Sequence, residues 1–282
     1  MYNVIFESDN GLKYAFGKAG STAFDMDFGS GVSVNIGTSQ GFAQVGESVE
    51  NQSVSGRPIN VKGVVFGNVQ ERKRAMRKVF APFVSGKLIF DGKYYTRVYV
   101  KTTPSFSPAK NDGRFSMQLF APYPFFYSIN EESVFIGEIK ALFRFPVNYS
   151  SPHRFGTRTS VKYKTIYNDG DVNVPFKLQI IANADSTNVT ISNLETFEFL
   201  KFNGVLNAGD SITVYRDESN VFRAELKSDG VVSDAIDMVD EKSMLFELNV
   251  GDNVIGVDSD EGGDNLTVTF FYNTAVVALY ED

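Results

Sequence analysis

The sequence predicts a mainly β protein of two domains, the first carrying a single α-helix. Three observations support this. Apolar residues alternate with polar ones over short runs broken by Gly, Asn and Asp turn signals. Only residues 68–81 show helical spacing. Charge also divides along the chain, with residues 1–130 at +6 and residues 131–282 at −13, so the two halves present different surfaces.

In the first half, Val4/Phe6, Leu12/Tyr14/Phe16 and Val32/Val34/Ile36 mark three short strands. Gly29-Ser30-Gly31 and the stretch from Gly37 to Gly46 read as turns or a flexible arm. Val54–Phe66 is expected to be one strand leading into the helix. Asn68 is the expected N-cap, with Glu71 three residues on to answer the free amides of the first turn. Val69, Met76, Val79, Phe80 and Phe83 form the apolar side, while Glu71, Lys73, Arg74, Arg77 and Lys78 cover the opposite one. Pro82 ends the helix near Phe80, because the residue before proline is pushed out of the helical region. Lys87–Phe90, an Asp91-Gly92 hairpin turn, Tyr94–Lys101 and the alternating Phe115–Phe120 complete an α+β layout.

The second half reads as strands separated by turn signals: Phe176–Ile180, Val189–Ile191, Phe197–Leu200, Ile212–Tyr215 and Leu266–Tyr272. Turns about every 8–12 residues point to a β-sandwich of the Greek-key or jelly-roll kind. The expected boundaries are a first domain over 1–130, a connecting segment over 131–165 around Phe143-Arg144-Phe145-Pro146, and the sandwich over 166–282.

Composition excludes several classes. There is no cysteine, so disulfides and thiolate metal sites are excluded and folding in a reducing cytoplasm fits. No apolar run approaches the roughly 20 residues that cross a bilayer, and the N-terminus has no basic and apolar regions of a secretory signal. His153 is the only histidine and lies in a Pro-flanked linker with no nucleophile motif beside it. Asp258, Asp260, Glu261 and Asp264 could gather a hard cation such as calcium, yet their spacing departs from the calcium-loop pattern, and a solvated hairpin turn is the expected reading. Glu131-Glu132 and Asp240-Glu241 are adjacent carboxylates that point to opposite faces of a strand. Tyr94, Tyr95 and Tyr99 could form a sugar platform, or simply complete a half-buried strand face. No phosphate loop, dinucleotide fingerprint, zincin motif or nucleophile elbow is present. No catalytic residue, cofactor or metal is therefore assigned.

Four stretches, taken in order, carry a family resemblance. They are Ser55-Gly56-Arg57-Pro58-Ile59 leading into the helix, Val84–Asp91, Ala121-Pro122-Tyr123-Pro124-Phe125-Phe126, and Asn168-Asp169-Gly170-Asp171 with Val174-Pro175 and Leu245–Asn253. The chain resembles the distal tail proteins of long, flexible-tailed bacteriophages. The resemblance implies an N-terminal β domain that closes into a hexameric ring around the DNA channel, and a galectin-like C-terminal sandwich. It implies a virion protein at the tail tip, made in the host cytoplasm. Implied neighbours are the tail tube protein, the tail-associated lysin or baseplate hub, and a receptor-binding protein; DNA passes without base reading, and no membrane is involved. The family supplies no catalytic residues, and the sugar-holding cluster of true galectins is missing here, with no Trp in the chain. Candidate subunit contacts are Phe24, Phe28 and Phe42, set in Gly/Ser-rich sequence, and the basic helix residues Lys73, Arg74, Arg77 and Lys78. Two other classes remain open: a carbohydrate-binding sandwich or adhesin for host-surface glycans, and a hydrolase dependent on specific carboxylates.

Overall fold

The computed structural model describes residues 3–17, 22–109, 111–136, 138–141, 156–159, 163–217 and 220–279. They fall into two units, Met1–Asn130 with Ala275–Asp282, and Glu131–Thr274. His153 lies outside the described residues, as does the Phe143–Pro146 connection.

The first unit runs through β1 (Val4–Ser8), β2 (Lys13–Ala15), β3 (Thr22–Met26), β4 (Val34–Ser39), β5 (Ser48–Val54) and β6 (Arg57–Val65) to α1 (Val69–Val79). It continues with β7 (Ser85–Phe90), β8 (Tyr94–Phe106), β9 (Arg114–Ala121) and β10 (Phe126–Ser128). The main sheet has the antiparallel order β2-β1-β7-β8-β9-β6-β3, with β10 added against β8. Period-2 patterning decides which face is covered. Val4 and Phe6, Leu88 and Phe90, Met117 and Leu119, and Ile59 and Val61 all turn inward and are buried. The stretch expected as a single strand breaks at Ser55-Gly56. A Cβ on Gly56 would lie 2.5 Å from the Phe120 ring and 2.9 Å from the Ala121 carbonyl, so only glycine fits that crossing.

The helix lies over this sheet. Asn68 caps it as expected: its Oδ1 accepts from the Glu71 amide at 3.5 Å, and its Nδ2 donates to Glu71 Oε2 at 2.8 Å. Met76, Val79 and Phe80 are buried, and the Phe80 ring stacks on Phe6 with centroids 4.6 Å apart. Two expectations for this segment fail. Phe83 is fully exposed, because the chain turns after Pro82 and holds Phe83 at φ +66° instead of continuing the apolar face. Lys73 is only 6% exposed, not on the solvated side. Its position continues the Val69, Met76, Phe80 series, so the helix carries it inward despite its charge.

The second unit begins with β11 (Glu132–Ile136), β12 (Glu138–Ala141), β13 (Gly156–Thr159) and β14 (Tyr163–Asn168). It proceeds through β15 (Phe176–Ala182), β16 (Ser186–Asn193), β17 (Phe199–Leu206), β18 (Ser211–Arg216), β19 (Phe222–Ser228), β20 (Val231–Asp234), β21 (Gly251–Glu261) and β22 (Leu266–Tyr272). A six-stranded sheet, β11-β22-β15-β18-β19-β20, faces a four-stranded one, β14-β21-β16-β17. Leu178, Ile180, Ile212, Val214, Val268 and Phe270 are buried from the first, and Ile166, Val189, Ile191, Leu200, Phe202 and Ile255 from the second. The stretch taken from sequence as a connection is not bare: Glu132–Ile136 is an edge strand paired with β22, and Tyr163–Asn168 pairs with β21.

Buried asparagines close the sandwich turns. Asn253 is fully buried; its Nδ2 lies 2.8 Å from the Asn249 carbonyl, and its Oδ1 accepts from the Asn249 amide at 2.8 Å. Asn168 donates to the carbonyls of Val172 and Leu248, and Asn193 accepts from the amides of Glu195 and Thr196. After β22 the chain returns to the first unit, where β23 (Ala275–Val276) pairs antiparallel with β10.

Candidate assembly surfaces

Among the described residues no group of three or more His, Asp or Glu side chains is placed to hold a metal. Asp258, Asp260 and Glu261 end strand β21, with Asp260 Oδ2 accepting from Asn188 at 2.6 Å; only the residues from Gly262, at φ +76°, through Asn265 form the hairpin turn, so most of the stretch expected as a turn is paired strand. Glu132 is taken up by the Tyr272 hydroxyl at 2.8 Å; burial first, and then this carboxylate, raise the phenol above its ordinary pKa. Tyr95 packs on Tyr127, with Lys87 over its ring at 5.0 Å, so it completes a strand face. The described acids and tyrosines singled out in the sequence are used within the fold or lie apart, and none converges with others on a reacting atom.

The basic helix face is divided. Lys73 donates from Nζ to the Ser107 and Ala109 carbonyls at 3.3 Å each, with its ammonium 5.6 Å from the Phe106 centroid. It ties the helix to the end of β8 and cannot serve as an exposed contact. Arg77, one turn on, lies 5.1 Å over the same ring from the solvent side. Arg74 and Lys78 are exposed.

The three candidate phenylalanines also separate. Phe28 is core, edge-on to Phe90 at 4.6 Å. Phe24 is half-buried against Phe16 and lines a groove of about 660 Å³ over β3, β6, β8 and β9, together with Phe106, Phe115, Lys62 and Arg114. Arg114 is held at this groove by a two-pronged pair with Asp112, Nε and Nη2 lying 2.9 and 2.7 Å from Oδ2. Hydrogen bonds from Arg114 hold the Asp112 carboxyl below the usual carboxylate range.

Phe42 is fully exposed, at the tip of a two-stranded ribbon, β4 with β5, that is not joined to the main sheet. Register pairs Val34 with Val54, Ile36 with Gln52 and Thr38 with Val49, so four aliphatic side chains share one face. All four are about half exposed or more. The tip is built: Gln44 Oε1 accepts from the Gly41 amide at 2.8 Å, Gln44 Nε2 donates to Ser48 Oγ at 2.9 Å, and Gln40 donates to the Gln44 carbonyl at 3.2 Å. Within this tip Phe42 and Val45 are both fully exposed to solvent. A lone two-stranded hairpin with an uncovered apolar face is at best marginally stable in water, so this ribbon is a candidate surface for association.

Sequence reading singled out Phe42 but missed Val45 and the aliphatic face, because Val34/Ile36 alternates like any core strand. A usable signal was the partner strand, Ser48-Val49-Glu50-Asn51-Gln52-Ser53-Val54, whose only apolar residues are Val49 and Val54, too few for an internal strand.

Residues 169–273 match the family described as siphovirus-type tail component, C-terminal domain. No curated protein matches the sequence. Among solved structures, the chain is similar to the SPP1 Dit protein, described as a paradigm of the hub adsorption apparatus in phages infecting Gram-positive bacteria. The TM-score is 0.68 at 11% identity, covering 98% of this chain and 99% of that one. A chain of the phage P2 baseplate in its activated conformation with calcium is similar at TM-score 0.47 and 14% identity, over 97% and 98% of the two chains. At such low identity, the SPP1 likeness shows a shared fold alone, over 98% of this chain.

Proposed function

We propose that this chain, whose residues 169–273 match the siphovirus-type tail component family, is a structural distal tail protein of a long-tailed bacteriophage. Its first unit closes into a hexameric ring that joins the tail tube to the tail-tip adsorption apparatus, and DNA passes through without base reading. The protein is made in the host cytoplasm and resides at the virion tail tip. Its neighbours are the tail tube protein, the tail-associated lysin or baseplate hub, and a receptor-binding protein.

The observation that carries the ring is the β4–β5 ribbon, an ordered arm with one aliphatic face and two exposed apolar residues at its tip. Head-to-tail rings need such a surface, one that cannot be satisfied within its own subunit. Of the candidate contacts, Phe42, Arg74 and Lys78 remain available for it, with Arg77 and Phe24 half-committed to their own fold; Lys73 and Phe28 are internal. The role is mechanical, and the described carboxylates are held by neighbours within the fold or dispersed. Native mass spectrometry of the purified full chain is expected to give a six-copy species. A monomer at every concentration, together with absence from purified particles, would overturn the reading.

A further inference from the structure

The last described residues complete the first unit, not the second. Ala275 and Val276 add a two-residue strand to β10, with Phe126 opposite Val276 and Tyr127 opposite Ala275. Leu279 enters the first unit's core at 7% exposure, and its amide donates to the Phe28 carbonyl at 3.2 Å. Phe28, Phe90 and Phe126 form a chain of edge-to-face rings against which this segment lies.

Arg57, the first residue of β6, is 5% exposed. Its guanidinium sits 4.7 Å over the Phe126 ring, and Nη2 donates to the Val277 carbonyl at 2.6 Å. Nε and Nη1 are buried without a partner, so this one carbonyl is the acceptor that the group has. Burial lowers the guanidinium pKa, and the charge of Asp27 works against that shift. A buried cation is costly unless it is hydrogen-bonded, and removing its last acceptor leaves every buried N–H of the group without a hydrogen bond.

We propose that residues 275–279 are a C-terminal latch. The first unit stays open at Arg57, Phe28 and Phe126, and does not self-associate, until this segment docks. Because the whole second unit is synthesised in between, closure waits on the order of ten seconds after β10 emerges. The latch thereby withholds ring formation from nascent and truncated chains. Only the self-association clause rests on the ring reading.

The test compares the full chain with a chain ending at Thr274, using segment-resolved amide exchange and light scattering. On truncation, exchange over 57–59 and 126–128 is expected to rise roughly tenfold or more. Exchange over 176–182, in the second unit, is expected to stay constant, and the oligomer to be lost. A synthetic peptide of residues 273–282 added in trans is expected to restore protection and oligomer together. Unchanged exchange over 57–59 and 126–128 would overturn the latch. If the full chain is itself monomeric the ring reading fails, and the exchange data alone decide the latch. Should truncation unprotect both units, Arg57→Met in the full chain decides instead. Faster exchange at Val276 and Leu279 with an unchanged helix supports the latch, and unchanged exchange there refutes it.

Discussion

Replacing Phe42 and Val45 together by serine separates association from folding. Both side chains are fully exposed at the tip of the ribbon and neither belongs to the first unit's core. Folding of the monomer should therefore move by no more than about 0.5 kcal/mol. Full burial of a Phe or a Val side chain contributes about 1.5–3 kcal/mol each, so the double substitution removes about 3–6 kcal/mol from every subunit contact. At 1.4 kcal/mol per decade, the contact weakens by roughly two to four orders of magnitude. Sedimentation velocity across a hundredfold concentration range should show the proposed ring giving way to monomer, with the thermal midpoint of the dissociated chain unchanged. An intact ring at all concentrations would refute the assignment of the tip as a contact. A fall in monomer stability would show instead that the tip packs on its own subunit.

Asn253→Ala should cost the second unit about 2–5 kcal/mol in urea unfolding followed by circular dichroism. It strands the Asn249 amide and carbonyl, both 2.8 Å from the fully buried Asn253 side chain; a loss under about 1 kcal/mol would argue that water replaces the side chain. Lys73→Ala should lower the first unit's stability by about 1–3 kcal/mol even in dilute monomer, because the Ser107 and Ala109 carbonyls lose their donor. A defect seen only in ring assembly would return Lys73 to the interface. Asp210 is held below the usual carboxylate range by the Ser228 hydroxyl, aided by the Asn207 amide and side chain. Its stabilisation is complete above the unfolded carboxylate value near ~3.9 and fades as pH falls through the lower native value. Asp210→Asn should therefore flatten the acid limb of second-unit unfolding below about pH 4, and an unchanged limb would exclude that carboxylate as a source of acid sensitivity.

Local chemistry was the legible part. Asn68 with Glu71 marked the helix start, and Asp91-Gly92, with φ of +48° and +65°, made the tight turn that its sequence announces. Alternation located most strands, since it reports which side chains face a core. It does not report which core. Val34 and Ile36 alternate as cleanly as Val4 and Phe6, yet they belong to an arm standing off the sheet. Charge misled at Lys73, where helical position outweighed the preference of an ammonium for water and two carbonyls received it. The return of Ala275–Leu279 to the first unit left no local trace, because pairing with β10 spans a separation that no period of 2 or 3.6 can encode. The same holds for the surfaces: Phe42 could be named from its glycine-rich setting, but its exposure depends on a ribbon whose partner strand, Ser48–Val54, the alternation did not mark.

Because β10 and β23 are neighbours in one ladder, the chain leaves the first unit and re-enters it at almost the same point. A segment bounded in this way behaves as an interchangeable cassette. Any folded domain with adjacent termini, or a short reverse turn, could join residue 130 to residue 275 without asking the first unit to move a strand. Exchange of that segment alone would alter the second unit while leaving every strand of the first in place.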